Sequence, residues 1–127
     1  MTSRLAIALD TPSVEAGGWV RGRVHVLEDD RSRRLLVRAV YRERTRDRSV
    51  IARTVDGPVI HEGDVSVGLV HEFAVQLPPD ALPGCESKHG RLWWELDVES
   101  DRLGLNIADR AEFEVRAPGP GGLSGAP

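Results

Sequence analysis

Cysteine and lysine are nearly missing from this chain of 127 residues: Cys85 is its one cysteine, and Lys88 is the one lysine among its 17 basic residues. A lone cysteine excludes an internal disulfide, so burial has to hold the fold, and a reducing, cytoplasmic location is expected. The near-exclusive use of arginine matches the codon bias of a GC-rich bacterium. Aromatic residues make up 5% of the chain, which leaves few large side chains to anchor a core. Long apolar runs are absent too. Nothing approaches the roughly 18 residues of a membrane-spanning helix, and the run after Met1-Thr2-Ser3-Arg4 is too short for a signal peptide. The net charge of −3 lacks the basic excess of a nucleic-acid binder, and no nucleic-acid partner is expected.

The residues that usually announce chemistry are missing in the same way. Neither His61-Glu62 nor His71-Glu72 is followed by a second histidine at the spacing of a zinc protease. There is no Gly-x-Ser-x-Gly elbow, phosphate loop or dinucleotide fingerprint. Cys85 and His89 form a Cys-x-x-x-His pair where a structural zinc needs about four ligands, and His61, Asp64 and His71 stand at no recognisable spacing from it. No enzyme, cofactor or metal is expected, and Cys85 reads as a solvated loop thiol.

What the chain does have is alternation. In Gly90 to Glu99, Leu92, Trp94, Leu96 and Val98 fall on one face, while Trp93, Glu95, Asp97 and Glu99 fall on the other. That is the period of a strand with one buried and one wet face, and it predicts the central strand of an antiparallel sandwich. Further strands are expected over residues 5–9, 19–28, 34–44, 69–77 and about 111–116, each with apolar residues at every second position. Gly22 within the second of these predicts a bulge or a close backbone approach. Asp56-Gly57 between residues 50–55 and 58–61 predicts a two-residue hairpin turn, with Pro58 placing that hairpin at a sheet edge. The proline-bearing stretch 78–89 predicts a connection from one sheet to the other. Seven to eight short strands with no helical period indicate an all-β, immunoglobulin-like antiparallel sandwich over residues 1–117, and the Gly/Pro-rich residues 118–127 read as a flexible tail.

Three segments, in this order, carry a family resemblance. They are Gly18-x-Val20-x-Gly22-x-Val24-x-Val26, then Phe73-x-Val75-x-Leu77-Pro78 running on to Leu82-Pro83, then Gly90-x-Leu92-x-Trp94-x-Leu96-x-Val98 with Asp101-Arg102 after it. Together they resemble the amino-terminal domain of the arrestin-like superfamily, nearest to its bacterial sporulation-control members. The resemblance spans residues 5–116. It implies an arrestin N-domain-like sandwich and a non-catalytic adaptor or scaffold that binds a protein partner of unknown identity by a sheet face or an exposed strand edge. Full members carry two sandwiches in tandem and this chain has room for one, so a homodimer supplying the second is a further expectation. The first strand, Leu5-Ala6-Ile7-Ala8-Leu9, lacks the lysine pair with which receptor arrestins sense phosphate, and recognition of phosphorylated receptors is not implied.

The charge is strongly segregated. Residues 31–53 hold nine arginines against Glu43 and Asp47, a stripe able to face an acidic peptide, a phosphate or an anionic membrane surface. Set beside the acidic face of the Trp94 strand, the same stripe can pair across the ladder, each opposed pair contributing roughly 0.2–1 kcal/mol. Both readings stand for Arg38 and Arg42. Arg44, Arg46 and Arg48 lie past the paired region and are the better candidates for a ligand, as an anionic-ligand or membrane-surface docking site alternative to the adaptor. Trp93 points away from the core if Trp94 points into it. It can stack on Arg38 or Arg42, or form part of an interaction face.

Overall fold

The computed structural model describes residues 5–31, 34–101 and 105–117, with backbone alone for residues 101 and 105–108. These hold nine strands and no helix: β1 (Leu5–Leu9), β2 (Ser13–Glu15), β3 (Trp19–Val26), β4 (Arg34–Thr45), β5 (Ser49–Glu62), β6 (Val70–Gln76), β7 (Cys85–Ser87), β8 (Gly90–Asp101) and β9 (Leu105–Arg116). Against the seven to eight expected, residues 50–55 and 58–61 fall in the one strand β5, and two short segments of three residues each, β2 and β7, are added. Residues 118–127, expected as a tail, lie outside the described residues.

The strands form an all-β sandwich. The small sheet has the order β1-β3-β6 and the large one β2-β9-β8-β4-β5, with β7 paired to β8. The stretch 78–89 does connect the two sheets, running from β6 to β8 and contributing β7 on the way. Alternation explains which faces meet. Val20, Val24 and Val26 of β3 and Phe73 and Val75 of β6 pack on Val37, Ala39 and Tyr41 of β4 and on Trp94, Leu96 and Val98 of β8. Trp94 is central and 1% exposed. Its ring stacks on Tyr41 at 4.9 Å, its indole Nε1 donates to Leu82 O at 2.7 Å, and the Tyr41 hydroxyl donates to Pro83 O at 2.8 Å. The polar ends of both rings thereby tie down the inter-sheet connection while their carbon faces fill the core.

Gly22 is a close-approach position, and the β1–β3 and β3–β6 registers run through it without a bulge. A Cβ there would lie 2.4 Å from Ala8 O and 2.9 Å from Phe73 Cζ. Gly57 corrects the sequence reading. Asp56-Gly57 does not turn the chain: β5 continues through it, with a slip in its pairing to β4 between Asp56 and Val59, and the tight turn lies instead between β4 and β5, where Thr45 N donates to Arg48 O at 2.8 Å. Gly57 has no positive φ. It is small because a Cβ would come within 2.6 Å of Val37 O and 2.7 Å of Val75 Cγ2. Gly57→Ala is therefore expected to lower stability by about 1–3 kcal/mol, read as a shift of the urea midpoint at constant slope. An unchanged midpoint would return this dipeptide to a solvent-exposed turn.

Candidate functional site

The outer face of the large sheet is where charge collects. The β4–β8 register sets Arg38 opposite Asp97 and Arg42 opposite Trp93, which brings the arginine stripe and the acidic stripe side by side as the cross-strand reading required. The face is not wet, however: Glu95 and Asp97 are each 1% exposed and Glu99 6%. Leu36 and Val40 of β4, which alternation puts on the same outer face as Arg38 and Arg42, are buried there as well. Long arginine stems and the Trp93 ring cover the short carboxylates of the next strand, which a period-2 pattern cannot reveal.

Arg42 holds the centre of this network. Its Nε lies 2.8 Å from Glu95 Oε2, and its Nη2 donates to Asp97 Oδ2 at 3.0 Å. Arg38 spans Glu99, with Nη1 3.0 Å from Oε2, and Asp56 of β5, with Nε 3.1 Å from Oδ1. Trp93 Nε1 donates to Glu95 Oε1 at 3.0 Å. Burial alone would raise the Glu95 pKa, but hydrogen bonds with Asp97, Trp93 and Arg42 outweigh it and hold the carboxyl below its ordinary range. Asp97 is pushed the other way, up to about 7, by burial first and then by the Glu95 carboxylate beside it, against the pull of Arg42. Glu95 Oε2 and Asp97 Oδ1 are buried without a hydrogen-bond donor, and a proton held on Asp97 and offered to Glu95 supplies one.

A measurable pH dependence follows. The folded-state pKa of Asp97 lies above its ordinary value of 3.8, so its contribution is fully present below that value and is lost as pH rises through about 7. Thermal and urea stability should fall by roughly 2 kcal/mol between pH 5 and 8. Asp97→Asn keeps an acceptor for Arg42 and a donor for Glu95 without the charge. It is expected to flatten that slope and to be the more stable protein at pH 8, and a variant that keeps the wild-type slope would remove Asp97 as its origin.

The other cations of the run are placed differently. Arg44, Thr45 and Arg46 line a cleft of about 700 Å³ with Glu86, Ser87, Lys88, His89, Gly90 and Arg91, between the end of β4 and the turn joining β7 to β8. Arg44 stands directly opposite Arg91, a like-charged pair across a ladder and so unfavourable on its own. Arg91 is held by Glu112 and lies over the Trp93 ring at 4.8 Å. The partner on Trp93 is thus Arg91 rather than Arg38 or Arg42, whose guanidinium groups the carboxylates already hold. Among the described residues Arg44, Arg46, Arg48 and Lys88 have no carboxylate partner. Arg48 sits at the neighbouring turn, where its carbonyl receives Thr45 N. Sequence reasoning missed Arg91, Ser87 and Lys88. The signal was the register, which puts Arg91 across from Arg44 once Trp94 is set opposite Tyr41.

No group of three or more His, Cys, Asp or Glu residues able to hold a metal ion exists among the described residues. None of the described residues form a helix long and apolar enough to cross a membrane. Two sheets of this order and pairing make an all-β sandwich. Among solved structures the chain is similar to Spo0M, the sporulation control protein of Bacillus subtilis, with a TM-score of 0.60 and 17% identity over 92% of this chain and 51% of that one. It spans about half the length of Spo0M, and the likeness is one of fold. A second solved chain, the Pseudomonas fluorescens alkylpurine DNA glycosylase AlkC bound to DNA, aligns at a TM-score of 0.45 and 12% identity over 92% of this chain and 32% of that one, too weakly to carry an argument. No protein-family model and no curated protein matches the sequence.

Proposed function

We propose that this protein is a non-catalytic interaction module of arrestin-like type that receives an acidic protein surface at the end of the sandwich bearing the β4–β5 and β7–β8 turns. The observation that carries this reading is the contrast within one arginine run. Arg38, Arg42 and Arg53 each meet a carboxylate of this chain, whereas Arg44, Arg46 and Arg48 meet none among the described residues. Unpaired charge at a rim steers an oppositely charged partner and fixes its register.

Other surfaces are less suited to a partner. The face of β4 and β8 is neutralised from within. The β5 edge breaks register with β4 at three points and carries Pro58, both devices that discourage an added strand. The β1 edge has its Ile7 N donating to Asp109 Oδ2 at 3.2 Å.

The test is recovery of partners from a bacterial lysate by immobilised wild type and by an Arg44→Ala, Arg46→Ala, Arg48→Ala variant. The expected result is an acidic protein retained at low salt, released as salt screens the contact, and absent with the variant. Retention of the same proteins by both forms would overturn the reading. So would equal, salt-sensitive capture of anionic lipid vesicles in place of protein, which is the membrane-docking alternative.

A further inference from the structure

We propose that the cleft between the end of β4 and the β7–β8 turn is a binding pocket for a compact phosphate-class polyanion, one carrying two or more charges on a small group. The proposal goes beyond the protein-docking reading, because it assigns a small ligand to a concavity at that end.

Four cations, Arg44, Arg46, Lys88 and Arg91, line the cleft against one carboxylate, Glu86. With Glu86 in the cleft and Glu112 on Arg91, two of the four positive charges stay unmet; a single carboxylate from a ligand would answer one of them, whereas the dianion of a phosphomonoester answers both. Arg44 and Arg91 are directly opposed across β4 and β8, so an anion in the cleft can be met from both strands at once. Arg91 is already oriented, since Glu112 holds one side of its guanidinium and the Trp93 ring lies against its face. A planar guanidinium fixed in this way presents paired donors to phosphate oxygens with little ordering left to do.

The turn adds a neutral donor. Ser87 Oγ accepts from His89 N at 3.1 Å, which leaves the hydroxyl hydrogen to point elsewhere, and Ser87 lines the same cleft. Lys88, the chain's one lysine, stands in that turn and supplies a mobile point charge beside three forked arginines. Among the described residues the small sheet gathers no such cluster of cations: its cavity holds Arg21 and Arg23 together with Asp10 and Glu72. There Arg23 lies 3.9 Å from Glu72, and Arg21 lies over the Trp19 ring at 5.5 Å.

Phosphate of this kind comes either free in solution or on a lipid headgroup. The experiment has one arm for each: titration with pyrophosphate, followed by calorimetry and by the quenching of tryptophan emission at Trp93, and sedimentation with phosphatidylcholine vesicles doped with phosphatidic acid. Pyrophosphate is expected to bind at low ionic strength, more tightly than sulfate. Arg46→Ala and Lys88→Ala should each weaken it about tenfold, while Arg23→Ala leaves it unchanged. Binding of doped vesicles but not of pyrophosphate would place the phosphate on a lipid. The proposal is overturned if neither ligand binds, or if Arg23→Ala weakens binding as much as Arg46→Ala does, which would mark a diffuse charge effect. Because the ligand is defined, failure here leaves partner recovery to stand or fall separately.

Discussion

Replacing Arg42 with alanine is expected to cost about 3–5 kcal/mol of stability at pH 7, a large share of the whole margin of a single-sandwich domain. The guanidinium is the shared counter-ion of Glu95 and Asp97, 2.8 Å and 3.0 Å away. Burial alone would lower its pKa, and these two carboxylates more than restore it. Without it, two carboxyl groups that are each 1% exposed keep, among the described residues, each other, Trp93 and the more distant Arg110, whose Nε lies 3.8 Å from Glu95 Oε2. They would have to protonate to stay inside. The loss should therefore shrink on acidification, since carboxyls with raised folded-state pKa values contribute stability at low pH and lose it as pH rises.

Two further variants separate charge from packing. Arg42→Met keeps most of the stem and should be nearly as damaging as alanine if charge dominates. Adding Asp97→Asn to Arg42→Met should restore a large part of the loss by removing one of the stranded charges. Urea melts at pH 5 and 8 read all three. If Arg42→Ala loses as much at pH 5 as at pH 8, or if Asp97→Asn rescues nothing, the network is ordinary packing and the shared-proton account fails.

Trp94→Ala is expected to be as severe, about 3–5 kcal/mol, by a different route. The ring touches Tyr41 in a stack and Phe113 at 6.2 Å between centroids, so its removal opens a cavity where the two sheets meet. It also leaves Leu82 O without its donor. Trp94→Phe refills most of the space and removes the hydrogen bond alone, and should cost about 1–3 kcal/mol. The readouts differ between the variants. Both should make the 78–84 connection more accessible to protease, because Leu82 and Pro83 are the two points at which the rings hold it. The alanine variant alone should lose near-ultraviolet circular dichroism throughout. An alanine variant with an unchanged melt would move the core elsewhere.

The opposite roles given to arginines of one run have a consequence for engineering. Substitutions at Arg38 and Arg42 are expected to act on stability, and those at Arg44, Arg46 and Arg48 on the proposed binding, with the fold intact. A binding-defective variant that melts like wild type is accordingly to be sought at the β4–β5 turn. An alanine at position 38 would confuse the two effects, because Arg38 bridges Glu99 and Asp56.

Several features were legible in the chain by itself. Alternation at Leu92, Trp94, Leu96 and Val98 and at Val20, Val24 and Val26 determined which residues enter the core, because a strand's period of two is a local property that no distant partner alters. Pro78-Pro79 ended β6, and Gly22 marked a close approach, through constraints that act on single residues. The order of three such segments was enough for the sandwich fold that the chain shares with Spo0M. Gly57 was read wrongly from the same kind of information: a small residue after aspartate looks alike whether it permits a turn or makes room for Val37 and Val75 from elsewhere.

The candidate site was decided by the tertiary structure. Which arginine faces which carboxylate depends on the register between β4 and β8, whose paired residues stand 45 to 65 positions apart in the chain, and a slip of one position would have exchanged the neutral face for a charged one. Burial of Glu95 and Asp97, and the opposite displacement of their proton affinities, arise from side chains contributed by neighbouring strands. The basic cleft exists because two turns far apart in sequence end at the same edge of one sheet. Charge and period are written residue by residue; which charges remain unanswered is a property of neighbours, and neighbours are set only when the sheets form.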